Sequence, residues 1–272
     1  MFQHTTTDDG WRITIAASND EAYAVLKQDR VWNCFAIADL LPPFRQYTRI
    51  SLAQHPQTGQ RGALLIVEHP DVYVLSPSGA PAGVAALLAR LGLPAHPMIQ
   101  AQPEHWPLLA PYYDLPLSKR ELWRMGLSAQ TFQQPAPDAL PAAERLTPSD
   151  LPALLALYDL FPTNHFRPDL LKEGLFYGIR EGKGLVAAGG THVIARPYGI
   201  AVLGNIFTHP ERRGRGCAQA ITSALVAELL AQGCQDIVLN VDVDNAPALR
   251  VYTKLGFQPH ARWWSAAAQR LP

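Results

Sequence analysis

One stretch constrains the fold more than any other. It runs from Gly199 to Leu229: an apolar segment, a short turn rich in arginine and glycine, and an apolar segment of different period. Gly199 to Phe207 is mostly apolar and bounded by turn residues, which predicts a buried strand, and Pro210 closes it. From Ala218 onward Ile221, Leu225 and Leu229 recur at i+4 spacing, as on the buried face of a helix. Between them lie Arg212, Arg213, Gly214, Arg215 and Gly216. A helix start leaves backbone N–H groups unpaired and carries partial positive charge. Glycines let that backbone approach a ligand without Cβ obstruction, and arginines add forked donors suited to phosphate oxygens. The sum is a phosphate-binding turn at a helix N-terminus; the alternative is an ordinary turn with solvated arginines.

Two common phosphate motifs do not fit. No Lys-Ser/Thr follows the glycines, so the turn is not a P-loop. Gly214 and Gly216 give Gly-x-Gly, but Gln219 occupies the third small position of the dinucleotide fingerprint. Arg213-Gly-Arg-Gly-Cys-Ala218 instead resembles the acyl-CoA-binding motif Gln/Arg-x-x-Gly-x-Gly/Ala of the GNAT superfamily of N-acyltransferases. The context carries the resemblance further. Thr208-His209-Pro210 stands where the family has a hydrophobic-x-Pro step, with Thr for the usual Val. An amphipathic helix follows, then Ile237-Val-Leu-Asn-Val241, Asn245, Tyr252 seven residues on, and Leu255-Gly-Phe257. The resemblance covers roughly residues 144 to 265.

The resemblance implies an α+β fold, with a mixed, mostly antiparallel sheet flanked by helices in the C-terminal half. It implies an acetyl-CoA-dependent N-acetyltransferase that transfers an acetyl group to a primary amine by direct attack in a ternary complex. A non-catalytic acyl-CoA sensor on the same fold is the alternative. By position, Arg213, Gly214, Arg215, Gly216, Cys217, Ala218 and Gln219 would hold the pyrophosphate. The main chain of Ile206, Phe207 and Thr208 would line the pantetheine arm, and Asn245 would contact it. Tyr252 matches the tyrosine that protonates the departing thiolate in many members. Asn245 also suits an N-cap and Tyr252 a packed helix position.

A base is harder to place. Some members use a glutamate on the strand before the asparagine, where this chain has Asn240, which cannot take a proton. His192, His209, Glu211 and Asp242 are the candidates, alongside ordered water. Cys217 reads as packing rather than as a nucleophile, although a helix start can lower a thiol pKa. Thr163 to Arg167 lies where the family builds its acceptor site. There Asn164, His165 and Arg167 are polar enough to read a substrate, and Arg167 is suited to a carboxylate.

The remaining features bound the answer. A hydrophobic fraction of 48% with 17% charged residues fits a globular protein with a sizeable core. A formal net charge of zero gives no basic excess for nucleic acid or an anionic membrane. The three cysteines, Cys34, Cys217 and Cys234, form no C-x-x-C, so neither a metal site nor a disulfide framework is expected. The polar N-terminus is unlike a signal peptide and no apolar run reaches membrane-spanning length, so a cytoplasmic protein is expected. The expected partner is a small-molecule or peptide amine, and the choice between monomer and homodimer stays open.

Residues 1–135 read as a separate α/β domain and 144–272 as the acyltransferase domain, joined by the proline-rich Gln133–Pro141. In the first, Asp20 to Leu41 reads as helix. Tyr47–Leu52, Gly62–Val67, Val72–Leu75, Pro97–Gln100 and Leu122–Phe132 read as strands, and Ala82–Leu91 as a helix. Some two-domain GNAT proteins carry a degenerate N-terminal copy. Here no Arg/Gln-x-x-Gly-x-Gly/Ala occurs in that half and no clear internal repeat is visible. The final strand, Trp263 to Ala266, is expected to close the C-terminal sheet.

Overall fold

The computed structural model describes residues 3–70, 72–136, 139–161 and 166–272. The chain forms two units, Met1–Trp123 with Ala261–Pro272, and Arg124–His260. These limits differ from a division at the proline-rich stretch. Gln133 N–H donates to Leu255 O at 2.9 Å, so that stretch begins as part of the second unit.

The first unit contains β1 (Gln3–Thr6), β2 (Arg12–Ile15), α1 (Asn19–Leu26), α2 (Cys34–Ala38), β3 (Thr48–Gln54), β4 (Arg61–His69), β5 (Val72–Gly79), α3 (Pro81–Leu88), β6 (Met98–Ala101), α4 (Trp106–Leu109), β7 (Tyr113–Asp114) and the beginning of β8 (Arg120–Leu127). The helix expected over Asp20–Leu41 is interrupted. Asp29 Oδ1 accepts from Trp32 N–H at 2.9 Å and Asn33 Nδ2 donates to Leu26 O at 3.0 Å, so short polar side chains turn the backbone between α1 and α2. Strands β1 to β5 pair antiparallel in chain order, and β6 returns parallel to β5 after α3, with Val74 opposite Met98. Trp11, Leu64, Ile66, Leu75, Val84, Leu87 and Ile99 form the core between sheet and α3. The first turn of α3 lies directly on β4, for a Cβ on Gly62 would stand 2.9 Å from Gly83 C.

The second unit continues β8 from Arg124 and adds β9 (Glu144–Arg145), α5 (Leu151–Tyr158), α6 (Pro168–Glu173), β10 (Phe176–Glu181), β11 (Gly184–Ala195), β12 (Ile200–Thr208), α7 (Cys217–Ala231), β13 (Asp236–Asp242) and α8 (Ala246–Lys254). The chain closes with β14 (Gln258–Ala267) and β15 (Gln269–Arg270). Thr147 starts the α5 region through a capping box with Asp150. Strands β9 to β12 pair antiparallel, β13 joins β12 in parallel, and β8 follows β13. The register gives this sheet two faces. Phe176, Ala188 and Phe207 pack with Leu154, Leu157, Tyr158 and Leu171 of α5 and α6. On the opposite face Tyr177 donates to Glu228 of α7 at 2.7 Å, and a Cβ on Gly189 would meet Ile221 of α7 at 3.1 Å.

The expected strand at Trp263 to Ala266 lies within β14, which stands between β8 and β6 in the strand order, with Trp264 to Ala267 antiparallel to Met98 to Ala101. Ala268 N–H then donates to Pro97 O and Arg270 N–H to Ala95 O, at 3.0 and 2.8 Å, so the tail is satisfied there.

Candidate active site

The turn after β12 is built as its residue types require. Gly214 and Gly216 have φ of 77° and 79°, left-handed values that a Cβ would oppose. Nothing lies within 4 Å of a Cβ built on Gly214, so its exposed side is open. The first α7 hydrogen bond runs from Ala220 N–H to Gly216 O at 2.9 Å, and no side chain caps the helix. Among the described residues no protein acceptor meets the N–H groups of Gly214, Arg215, Gly216, Cys217, Ala218 or Gln219. They form the donor-rich end of a helix of 15 residues.

The arginines divide. Arg212 is paired with Glu181 at 2.6 Å and is engaged as a structural cation. Arg213 Nε donates to Thr208 O at 3.4 Å, and neither Arg213 nor Arg215 makes an ion pair among the described residues. Their charge remains available beside the open donors. The residues present thus fit a polyphosphate: unpaired backbone donors, two guanidinium groups that form no ion pair among the described residues, and no Cβ on Gly214 or Gly216. Cys217 is buried, its Sγ 3.9 Å from Arg212 O, and burial pushes its thiol pKa up. That agrees with packing and not with an activated thiolate.

The strand before the turn is irregular where this matters. Beta pairing of β12 with β13 runs from Ile200–Asp236 to Leu203–Leu239. The next residue but one, Asn205, has φ of 53°, and the β11 register shifts between Ala188 and Gly190. Here β12 carries one extra residue, a bulge that turns the strand. Asn205 is buried and its Nδ2 has no protein partner among the described residues, while its carbonyl accepts from Tyr158 Oη at 2.6 Å. Thr208 Oγ1 is likewise buried without a partner among the described residues. Ile206, Phe207 and Thr208 thus follow the bulge along a stretch of β12 past its β13 pairing.

Asn245 caps α8, its Oδ1 accepting from Ala248 N–H at 3.2 Å. Tyr252 lies on the buried side of α8, 8% exposed, edge-on to Phe257. Its hydroxyl has no protein hydrogen bond among the described residues, and burial pushes its pKa up to about 12. It is therefore a proton holder at neutral pH.

The other candidates separate by place. His209 Nδ1 accepts from Glu211 N–H at 3.3 Å at the start of the turn, and Glu211 is an exposed neighbour of Arg212. Arg167 forms a two-pronged pair with Asp169, at 3.1 and 3.3 Å, so its guanidinium is spent locally. Asn164 and His165 lie outside the described residues. Asn240 Oδ1 accepts from Arg124 Nε at 3.1 Å, and Arg124 is 3% exposed. His192 stands over Gly204, where a Cβ would overlap its ring, 2.7 Å from Cε1 and closer still to Nε2. Sequence reasoning missed Arg124, Tyr158, Gly204 and Asn205. The Gly204-Asn205 pair inside an apolar strand was the available signal, since a lone strand glycine often marks a bulge.

Among the described residues no cluster of three His, Cys, Asp or Glu could hold a metal, and no helix is long and apolar enough to cross a membrane.

Comparison with known proteins agrees with this geometry. Residues 142–257 match the Acetyltransferase (GNAT) family. A mycothiol acetyltransferase of Saccharopolyspora erythraea is 28% identical over 256 residues, spanning 84% of this chain and 82% of that one. Two solved structures share the fold along nearly the whole chain. A Drosophila protein has a TM-score of 0.63 at 14% identity, covering 94% of this chain and 98% of its own. A tandem GNAT protein from the clavulanic acid biosynthesis pathway has a TM-score of 0.53 at 14% identity, with the same coverages of 94% and 98%. The matched residues 142–257 include the turn and the bulge, and over them the chain carries a GNAT acetyltransferase domain.

Proposed function

We propose that the C-terminal domain transfers an acetyl group from acetyl-CoA to a primary amine, by direct attack within a ternary complex. The observation that carries this is the alignment of two features on one strand. The bulge at Asn205 ends the pairing of β12 with β13, and the same strand runs into a turn whose N–H groups are open. Acetyl-CoA, when bound, supplies the activated acyl group. The chain supplies the rest. Arg213 to Gln219 hold the pyrophosphate through backbone donors and charge. The main chain of Ile206 to Thr208 and Asn245 line the arm, and β-strand-like pairing orients it. Tyr252 keeps its proton until a thiolate departs.

The chain resembles a mycothiol acetyltransferase along most of its length, so an acceptor amine related to mycothiol is the first to test. A cytoplasmic site of action follows from the same reading. A second reading, a non-catalytic acyl-CoA sensor, is favoured by one observation: Asn240, not a carboxylate, stands on β13, engaged by Arg124.

We read the first unit as a degenerate copy of the same fold that holds no CoA. Its equivalent turn, Gly79-Ala80-Pro81, has Ala80 N–H bonded to Arg61 O at 2.7 Å, a proline without N–H, and a first helical turn laid on β4. Calorimetry with acetyl-CoA and CoA tests both statements. One molecule should bind per chain, and Gly214→Glu with Gly216→Glu should abolish binding. Absence of any acyl-CoA binding to the wild type would overturn the acetyltransferase and sensor readings together; binding of two would overturn the closed first turn.

A further inference from the structure

The strand register places a polar row across the face that α5 and α6 cover. Val202 pairs with Val238 in parallel, so Gly204 and Asn240, each two residues on, share a face. Gly204 pairs with Gly190, whose Cβ would press on the Phe176 ring, and Phe176 belongs to the α5–α6 core. His192 reaches that face because the β11 register shifts between Thr191 and Val193. Its ring fills the space above Gly204 that any other residue would occupy with its own side chain. Arg124 binds Asn240 at the other end of the row. By register Val202, Val238, Phe176 and Phe207 lie on the same face. Beside the row is the carbonyl of Asn205, held by Tyr158.

A half-buried imidazole placed on an apolar face, next to the bulge, has a use that Asn240 cannot serve. We propose that His192 is the general base of the transfer; this rests on the acetyl-CoA reading above. The acceptor nitrogen bonds to the acyl carbon as the carbon–sulfur bond breaks. The proton of that nitrogen passes to the His192 ring nitrogen, and Tyr252 Oη gives its proton to the departing sulfur. Both residues return to their starting states by exchange with solvent, so charge and protons balance. Arg124 acts through Asn240, fixing that amide in the row, and is a positioning residue.

Among the described residues, the titratable and charged groups on the elements that form this face include Tyr158 on α5, Arg124 on β8 and Asp242 at the last position of β13, on the same face as Asn240. The charged residues of α6 are exposed to solvent. Asp242 is the carboxylate tested against His192.

The experiment uses the full chain as wild type, His192→Gln and Asp242→Asn. Acetyl-CoA affinity is measured first by calorimetry. The His192 Cε1–H resonance, assigned by its loss in His192→Gln, is then followed as acetyl-CoA or CoA is added. It should shift more with acetyl-CoA than with CoA. Thiol release with a panel of amino-acid amides, amino sugars and polyamines gives the rate. His192→Gln should lower kcat about 10²-fold, keep acetyl-CoA affinity within about twofold, and remove the acid limb of the pH profile, while Asp242→Asn leaves that limb in place. Tight acetyl-CoA binding with an unmoved His192 resonance overturns the assignment, as does an unchanged acid limb in His192→Gln or its loss in Asp242→Asn. Absence of acetyl-CoA binding in the wild type is separate: it removes the reading on which the assignment rests, and the assignment with it.

Discussion

Tyr252 and Gly204 show what single positions fix. Burial against Phe257 raises the Tyr252 pKa to about 12, so the phenol stays protonated well above neutral pH. Its alkaline limb therefore belongs near pH 12 rather than near the ordinary phenol value of about 10. Tyr252→Phe should lower kcat about 10²-fold with acetyl-CoA affinity retained, since only a proton donor is lost. Equal affinity loss and turnover loss would make it a binding residue instead. The same shift has a stability consequence. Its folded pKa lies above the unfolded one, so the contribution is intact below about pH 10 and is lost as pH rises through about 12. Two pKa units correspond to roughly 3 kcal/mol, and Tyr252→Phe should flatten that part of the alkaline unfolding curve. Gly204 acts by absence. A Cβ there would overlap the His192 ring, so Gly204→Ala should reproduce the His192→Gln rate loss while the α7 turn still binds acetyl-CoA.

Elements show what local sequence can and cannot specify. Strand β12, its turn and helix α7 were legible because their signals are local: a mostly apolar run, two glycines, then Ile221, Leu225 and Leu229 at i+4 spacing. Helix α8 was legible from Asn245 and Tyr252, seven residues apart. The N-cap gives a separable prediction. Asn245→Ala should cost about 1 kcal/mol, read by urea unfolding, whereas Asn245→Asp keeps the acceptor oxygen and should cost little. If Asn245 also contacts the CoA arm, Asn245→Asp will weaken acetyl-CoA binding without destabilising the fold, and an unchanged affinity would confine the residue to capping. The rest of the site was not legible because its partners are distant. Arg124 meets Asn240 across 116 residues, and His192 reaches Gly204 only through a register shift that no spacing announces. Likewise Trp263 to Ala266 reads as a strand, but alternation says nothing of which strands it joins; its place between β6 and β8 is set by partners far off in sequence.

At the scale of the whole molecule, chain order and structural order part company. The second unit begins at Arg124, inside β8, and ends at His260, while the last residues return to the first unit. A cut at residue 144, where motif resemblance begins, would therefore remove and add the wrong pieces. It would delete Arg124, the partner of Asn240, and Gln133, whose N–H satisfies Leu255 O. It would also remove Thr131, which lies against Gly256 at the end of α8. In exchange it would keep the segment from Ala261 onward, including Trp264, Ala266 and Ala268, which belong to the core of the first unit and pair with β6. Such a fragment leaves a strand edge and apolar side chains uncovered, a combination that favours association over folding. A fragment spanning 124–260 keeps every one of those second-unit bonds and carries none of the stranded tail. The expected outcome is that 124–260 is monodisperse, unfolds cooperatively in urea and binds acetyl-CoA within about tenfold of the full chain, a loss of at most about 1.4 kcal/mol, whereas 144–272 aggregates or unfolds without a cooperative transition. Scattering and denaturant curves on the two fragments decide it. Cooperative folding of 144–272 with full acetyl-CoA affinity would show that Arg124 and the proline-rich segment contribute nothing to the site.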